Sequence, residues 1–193
     1  MGKIIRSVAT ITFQVLAIPF YMYYRIEVLI FGKDKAFQGA SQFFSLCPGM
    51  IGMYFRRAFY TMALKTCSVE CHIGFGTTFS HSSAEIGKRV YIGNFCSIGD
   101  VSLGDYVTMG SNVDILNGGK QHGSCDINKP MQDQAGEYPR LNIGEDAWIG
   151  NSAVVMANVG KKAIVGAGSV VVKDVEDYAV VVGNPAAIIR KRV

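Results

Sequence analysis

The clearest pattern in the chain is an aliphatic residue that recurs about every six residues along its second half. It runs in two blocks, one of Ile86, Ile92, Ile98, Leu103, Met109 and Ile115, the other of Ile143, Ile149, Val155, Val159, Val165 and Val171. A six-residue period fits neither a helix of 3.6 residues per turn nor a simple alternating strand. Each hexad instead predicts a short strand and a turn, with the aliphatic side chain inward and the glycine or small residue after it allowing the turn. Three such hexads close one triangular coil.

The first third of the chain has a different pattern. Residues 8–24 carry no charge, a length at the lower limit of the ~17–25 residues of a membrane span, and Pro19 weakens that interpretation. Five basic residues flank this run: Lys3, Arg6, Arg25, Lys33 and Lys35. A second apolar segment, residues 43–64, carries Arg56 and Arg57 among aromatic residues. Apolar helices with basic and aromatic borders are typical of helices that lie in the headgroup region of a membrane.

Charge divides the chain into two parts. The net charge is +6 for residues 1–65 and −2 for residues 66–193. A basic, apolar segment on a slightly acidic body favours an anionic membrane surface as partner and argues against nucleic acid. The alternative is that the N-terminal helices cap the main domain or pack between subunits. The five cysteines are odd in number and contain no C-x-x-C motif, so we expect reduced thiols and a cytoplasmic protein.

Three stretches carry a resemblance to a known family: the hexads of residues 86–115, the sequence IGEDAWIG at 143–150, and the block from Val165 through Lys173 to the Gly-Asn-Pro-Ala of 183–186. On these residues the chain resembles the hexapeptide-repeat acyltransferases, closest to their sugar and xenobiotic O-acetyltransferase branch. The resemblance covers about residues 68–193. It implies a mainly β fold, a left-handed parallel β-helix, that uses acetyl-CoA and assembles into homotrimers with active sites between neighbouring prisms.

The ends of a β-helix need caps, because their backbone groups lack a neighbouring coil. In the capping alternative, the N-terminal helical segment, residues 1–65, covers one end of the β-helix domain, residues 66–193. At the other end, Asn184 is a natural N-cap and Pro185 a natural first helical residue. The sequence therefore predicts a short C-terminal helix over residues 186–191.

The repeat is interrupted once, by residues 116–140. An excursion of this length within a regular scaffold is rare unless it is functional or disordered. It contains His122, which lies 26 residues before Trp148. In the O-acetyltransferases that the sequence resembles, a histidine in this loop is the general base. The resemblance thus implies that His122 takes the proton of an acceptor hydroxyl, a task that suits neutral imidazole.

Two residues are candidates for the acceptor side of the site. Asp114, next to the loop, either orients His122 or binds an acceptor hydroxyl. His81 either faces the acceptor or packs at a loop. Carbonic anhydrases on the same fold hold zinc with three histidines, two of them nearly adjacent. Because neither His72 nor His81 lies near His122 in the sequence, we expect no metal.

The resemblance places an acetyl-CoA groove along the coils from Trp148 to Gly168. Trp148 either packs beside the cofactor or closes the coil. Gly150, Ala167 and Gly168 allow close approach of the donor. Its phosphates would meet one or more of the following cations: Lys173, Arg190, Lys191 and Arg192.

Two classes of function remain open from the sequence. The first is an acetyl-CoA-dependent O-acetyltransferase that acts on a sugar or a lipid-linked glycan precursor in polysaccharide biosynthesis, in the cytoplasm or on the cytoplasmic face of the inner membrane. The second is a noncatalytic β-helix scaffold, and N-acetyl transfer to an aminosugar is a further alternative. The loop with His122 and the block of residues 166–185 favour the first.

Overall fold

Three helices precede a long run of short strands in the structure, a computed structural model that describes residues 2–193. The helices are α1 (Gly2–Phe31), α2 (Lys33–Ser45) and α3 (Gly49–Ala63), and one 3₁₀ turn spans Met131–Asp133. The strands are β1 (Thr66–Cys67), β2 (His72–Ile73), β3 (Thr78–Phe79), β4 (Glu85–Ile86), β5 (Tyr91–Ile92), β6 (Ser97–Ile98), β7 (Val101–Leu103), β8 (Thr108–Met109), β9 (Asp114–Ile115), β10 (Leu141–Ile143), β11 (Trp148–Ile149), β12 (Val154–Val155), β13 (Ile164–Val165), β14 (Val170–Val171), β15 (Ala179–Val182) and β16 (Ala187–Lys191).

The strands stack into the three faces of a triangular prism. Face A contains β1, β4, β7 and β10; face B contains β2, β5, β8, β11, β13, β15 and β16; and face C contains β3, β6, β9, β12 and β14. From β1 to β12 consecutive strands lie on successive faces, so that three strands make one coil. Neighbouring coils pair in parallel, and single bridges at Val159 and Val175 continue face A. The predicted parallel β-helix is confirmed.

The aliphatic positions of the repeat form the core of the prism. Each of them is at most 2% exposed. Equivalent positions lie in register across coils, as in the ladder of Ile92, Met109, Ile149 and Val165 on face B. Burial of each large aliphatic side chain contributes about 1.5–3 kcal/mol, so the ladders supply a large part of the driving force for folding.

The glycines that follow the aliphatic residues are required by contact between coils, which corrects the expectation that they make the turns. A Cβ on Gly93 would lie 2.5 Å from the carbonyl carbon of Gly110 in the next coil. The left-handed backbone conformation instead occurs two residues later, at residues such as Phe95 (φ 56°) and Ser152 (φ 58°). The small residue in each hexad therefore sets the close approach of stacked coils.

Arg56 joins the helical cap to the first coil. Its side chain is 2% exposed, so it does not lie at a membrane surface as the sequence pattern suggested. Nε donates to the carbonyl of Ile73 at 3.1 Å, and Nη1 donates to the carbonyls of Phe44, at 3.4 Å, and Cys47. Burial lowers the pKa of the guanidinium. These contacts tie α3 to the end of α2 and to β2.

Further hydrogen bonds connect α2 to the open edge of the first coil. The Ser41 hydroxyl accepts from the Phe79 backbone N–H at 2.8 Å and bonds to the Tyr60 hydroxyl at 2.7 Å. The Gly76 N–H donates to the carbonyl of Ser45 at 2.9 Å. Backbone groups that face no preceding coil thus find partners in α2. Helices α2 and α3 cap the prism, as one of the two interpretations of the sequence predicted.

Helix α1 packs on the outside of this cap. Phe13 stacks on Tyr54 at a centroid distance of 5.2 Å, and Tyr24 meets Phe59 edge-on at 5.7 Å. The stretch Ile4–Phe31 is long and apolar enough to cross a membrane, by length and composition only, and 6% of its most apolar window is buried. The exposed apolar side chains of α1 include Ile4, Ile5, Val8, Ile11, Val15, Leu16, Ile18, Met22, Ile26, Leu29 and Ile30. One side of α1 therefore packs on the cap, and the other is an apolar surface.

The C-terminus forms a strand rather than the predicted short helix. Strand β16 pairs antiparallel with β15, with Val180 opposite Arg190 and Val182 opposite Ala187. A helix would leave the outer edge of the last coil without hydrogen-bond partners, whereas a strand satisfies it. The prediction from Asn184 and Pro185 was wrong because the local capping signal is overridden by this pairing.

The five cysteines are all free thiols. Cys71 and Cys96 are buried, as expected of small apolar side chains. Cys125, in the loop of residues 116–140, is exposed.

We predict that Gly93→Ala lowers the free energy of unfolding by about 1–3 kcal/mol, because its Cβ would collide with the backbone of the next coil. Urea denaturation followed by circular dichroism measures this change. Gly119→Ala is the matched control, since a Cβ there meets nothing within 4 Å. Equal stability of the two variants would contradict the assigned role of the coil-contact glycines.

Candidate active site

The loop of residues 116–140 leaves the prism between β9 on face C and β10 on face A. We call this corner, where the chain passes from face C to face A in each coil, the A–C edge. Asn117 is 4% exposed, and its Nδ2 donates to the carbonyls of Asp100, at 2.8 Å, and Pro139, at 2.9 Å. Its Oδ1 accepts from the Asp100 N–H at 2.9 Å. Asn117 thereby joins the start of the loop to its end and to the coil beneath.

Internal hydrogen bonds give the loop a defined shape. Gln134 Nε2 donates to the carbonyls of Asp126, at 2.8 Å, and Lys129, at 3.0 Å, while its Oε1 accepts from the Asp126 N–H. The Glu137 N–H donates to the carbonyl of Lys120 at 2.8 Å, which brings the two arms of the loop together. These bonds hold the segment that contains His122.

His122 lies in an exposed position on this loop. Its side chain lines an open depression of about 520 Å³ together with Pro130, Met131 and Gln132. Within residues 2–193, no protein group hydrogen-bonds to the imidazole. Both ring nitrogens are therefore accessible to a substrate that enters the depression.

Arg140, at the end of the loop, anchors it to the first two coils. Its Nη2 donates to the carbonyl of Ser83, and Nη1 lies 3.3 Å from Glu85 Oε1. Its Nε lies 3.6 Å from Asp100 Oδ1, which is too long for a hydrogen bond and leaves both buried atoms without one. A hydrogen bond from Lys65 is the main reason why the pKa of the Glu85 carboxyl is below its usual value, and the positive charge of Arg140 lowers it further. The sequence offered no signal for this role of Arg140, because its partners come from other coils.

His81 lies on the same A–C edge, two coils before the loop. Its Nδ1 is 2.8 Å from the Ser80 hydroxyl. The carbonyl of Ser80 accepts a hydrogen bond from Gln38 Nε2 of α2 at 3.2 Å. Since stacked coils lie about 4.8 Å apart, this contact with the helical cap is roughly 10 Å along the edge from the base of the loop.

Asp114 lies on the outer surface of face C, in register with Ser97 and Val154. Its side chain is half-buried and makes no hydrogen bond to His122 in the described part of the chain. The structure therefore places Asp114 beside the start of the loop without joining the two side chains.

The residues assigned to acetyl-CoA lie at several places on the prism. Trp148 is 53% exposed on face B. Gly150, Ala167 and Gly168 lie at the edge between faces B and C, where a Cβ on Gly150 would be 2.4 Å from the Ala167 nitrogen. Gly150 is thus needed for coil stacking, whereas Gly168 (φ +68°) faces open space.

The candidate cations Lys173 and Arg190 are also apart from each other. Lys173 is exposed on the A–C edge, two coils beyond the loop. Arg190 is exposed on β16, opposite Val180 at the end of face B. One chain alone does not bring Trp148, Gly168, Lys173 and Arg190 into a single groove.

The three histidines are likewise separate. His72 stacks on Tyr91 on face B, with ring centroids 4.7 Å apart, while His81 and His122 lie at different heights of the A–C edge. Burial lowers the pKa of His72. Among residues 2–193, no group of three or more His, Cys, Asp or Glu side chains is placed to hold a metal ion.

We predict that Asn117→Ala loosens the loop, because it removes the three hydrogen bonds through which the Asn117 side chain holds Asp100 and Pro139, each with a net contribution of about 0.5–1.5 kcal/mol. Hydrogen–deuterium exchange within residues 118–139 should become at least tenfold faster. Asn142→Ala, at an exposed position on β10, should leave this exchange unchanged. Unaltered exchange in the Asn117 variant would contradict the role of Asn117 in holding the two ends of the loop together.

Comparisons with known proteins identify the fold. No protein-family model matches the sequence, and no curated protein matches it. The structure is similar to that of a maltose O-acetyltransferase from Clostridium difficile 630, with a TM-score of 0.74 and 20% sequence identity. The match covers 84% of this chain and 88% of that chain. A galactoside acetyltransferase in complex with coenzyme A has 21% identity, 80% and 78% coverage and a TM-score of 0.60. A hexapeptide-repeat-containing acetyltransferase from Vibrio cholerae O1 biovar eltor, complexed with acetyl coenzyme A, has 19% identity, 81% and 87% coverage and a TM-score of 0.64.

At these identities the comparisons establish the fold and leave the reaction to be argued from the site. They agree with the stacked parallel coils and with the resemblance of the repeat. The chain has the left-handed parallel β-helix fold of the hexapeptide-repeat acetyltransferases.

Proposed function

We propose that the protein is an acetyl-CoA-dependent O-acetyltransferase that acts on a hydroxyl of a sugar or of a lipid-linked glycan precursor. The observation that carries this proposal is the accessible imidazole of His122 on an ordered loop at the A–C edge. Structures with the same fold include enzymes complexed with coenzyme A and acetyl coenzyme A, which supports the donor.

In the proposed reaction His122 acts as the general base. The imidazole takes the proton of the acceptor hydroxyl while the oxygen attacks the thioester carbonyl of acetyl-CoA. The tetrahedral intermediate then expels the CoA sulfur, which receives the proton from the imidazolium. The products are the acetyl ester and CoA, with no proton gained or lost overall. General-base assistance contributes about 10²–10⁴ to the rate, and the fixed positions of the two substrates contribute further.

The residues assigned to acetyl-CoA lie at separate places on one chain, and this supports a donor groove that is formed between two prisms. Trp148, Gly168 and Lys173 lie on different faces or edges of one chain, so a groove that uses them needs a neighbouring chain. Cations at Lys173 and Arg190 suit the phosphates of CoA. We therefore propose a homotrimer whose active sites lie between neighbouring prisms.

The exposed apolar side of helix α1 supports a location of the protein on the cytoplasmic face of the inner membrane. Its outer side is apolar along nearly its whole length, whereas its inner side is occupied by contacts of Phe13 and Tyr24 with the cap. A helix held in this way lies in the plane of a membrane surface rather than across it. A lipid-linked intermediate of polysaccharide biosynthesis is the acceptor class that this location favours.

We predict that His122→Ala lowers turnover at least about 10²-fold, because it removes the base without disturbing the core. CoA release from acetyl-CoA, followed with a thiol reagent against a panel of sugar acceptors, measures turnover. CoA binding and the melting temperature should be unchanged. Ser124→Ala, at an exposed position of the same loop outside the lining of the depression, serves as the control, and near-normal transfer by the His122 variant would defeat the assignment.

We predict that the protein is a trimer at micromolar concentration. Exposed aromatic side chains on the prism, including Tyr91 (47%), Phe95 (57%) and Trp148 (53%), supply apolar surface for packing between chains. Light scattering coupled to size-exclusion chromatography in a non-ionic detergent measures the mass. A monomer with full activity would overturn the shared-site proposal.

We predict that the double variant Val8→Glu, Val15→Glu binds vesicles of phosphatidylglycerol and phosphatidylcholine at least tenfold more weakly than the unchanged protein. Both side chains are more than half exposed on the outer side of α1, so the fold should survive. Each cation near an anionic surface adds about 1 kcal/mol, so binding should also fall as salt rises. Val172→Glu on the prism is the control. Equal vesicle binding by the double variant would contradict the membrane role of α1.

A further inference from the structure

An apolar groove runs between α1 and α2, with a volume of about 590 Å³. Its lining consists of Pro19, Phe20, Tyr23, Tyr24, Glu27, Gly39, Ala40, Phe43 and Phe44. Glu27 is the one charged side chain of this lining, and its hydrogen bond to Tyr23 raises the pKa of the Tyr23 hydroxyl. Apart from Glu27 and the hydroxyls of Tyr23 and Tyr24, the side chains of the lining are apolar.

The shape of the groove comes from small residues on α2 opposite large ones. Phe20 of α1 and Phe43 of α2 stack at a centroid distance of 5.8 Å and form one wall. Gly39 and Ala40 leave the space between the helices open, and a Cβ on Gly39 would meet nothing within 4 Å. The result is an open cleft of about 590 Å³ with an aromatic wall and an apolar lining, which suits a hydrocarbon chain.

We propose that this groove holds a single hydrocarbon chain of a lipid-linked acceptor. The inference rests on the proposed acetyltransferase function and names the part of the acceptor that the helical cap recognises. Phe20 and Tyr23 line the groove and are also exposed, at 42% and 63%, beside the apolar outer side of α1. A protein that lies on the membrane through α1 therefore opens this groove towards the hydrocarbon boundary. Transfer of apolar chain surface into it is favourable by about 25 cal/mol per Å².

The position of the groove relative to the A–C edge supports the same acceptor. Gln38, the residue before Gly39, donates to the carbonyl of Ser80 at this edge. His81 follows Ser80, and Arg140 of the catalytic loop bonds to Ser83 in the same turn. A chain seated beside Gly39 thus places its polar head at the edge that leads, over two coils or roughly 10 Å, to the loop with His122.

The experiment measures binding of a fluorescent fatty acid, 11-(dansylamino)undecanoic acid, to the full-length protein in the absence of vesicles. We expect saturable binding of one probe per chain. Gly39→Trp should weaken this binding at least tenfold, because it places a large side chain at a lining position of the groove, where a Cβ meets nothing within 4 Å. Gln42→Trp, on the same helix but outside the lining, is the matched control and should bind the probe normally.

Two results would overturn the proposal. Probe binding that is equally strong in the Gly39 and Gln42 variants would show that the chain binds elsewhere, for example on the outer side of α1. A change in the oligomeric state of Gly39→Trp, with probe binding retained, would show that the groove is an interface between copies of the protein.

A second measurement separates this proposal from the proposed reaction. CoA release is compared for methyl and dodecyl glycosides of a sugar that serves as acceptor. The dodecyl glycoside should have the lower KM in the unchanged protein and lose this advantage in Gly39→Trp, with kcat retained. If no glycoside is acetylated although the probe binds at Gly39, the proposed reaction is contradicted and the proposed chain-binding groove is supported. If glycosides are acetylated but the probe does not bind, the proposed chain-binding groove is contradicted and the proposed reaction is supported.

Discussion

A stack of parallel coils has two open ends, and the backbone groups at each end require partners. At the first coil these partners are the Ser41 hydroxyl and the Ser45 carbonyl of α2, held in place by the buried guanidinium of Arg56. At the last coil the partner is β16, which turns back along β15. The aliphatic ladders stabilise the interior, but the two caps determine where the prism begins and ends.

The N-terminal cap also determines how the two halves of the molecule are related. Because α2 bonds to Ser80 and α3 is tied to Ile73 through Arg56, the helices are fixed relative to the first coil. The loop of residues 116–140 is fixed to the same region by Arg140. The apolar outer side of α1, the groove beside Gly39 and the loop with His122 therefore keep constant positions relative to one another. In our account this arrangement brings a membrane-borne acceptor to the A–C edge.

Features with a regular sequence pattern could be predicted, whereas features that depend on contacts between distant residues could not. The ladder from Ile86 to Val171 repeats regularly, so the inward direction of its side chains and the triangular coil followed from the period, and the parallel β-helix from the resemblance to a known family. The loop with His122 was recognisable because it interrupts that regularity. The C-terminal strand was missed, since Asn184 and Pro185 carry a local helix signal that the pairing with β15 overrides.

The same distinction applies to the candidate site. Asn117 and Arg140 hold the loop through partners in other coils, at Asp100 and Ser83, which no local pattern shows. Arg56 resembles an interfacial cation in the sequence and is buried in the structure because three carbonyl groups converge on it.

The central claim is that the A–C edge transfers an acetyl group to an acceptor presented at the membrane. The most direct test is CoA release from acetyl-CoA by the unchanged protein, with one glycan supplied either free in solution or linked to a lipid in anionic vesicles. The account predicts release with both and at least tenfold higher kcat/KM for the vesicle-bound form. An absence of CoA release with every free, nucleotide-linked and lipid-linked sugar would contradict it.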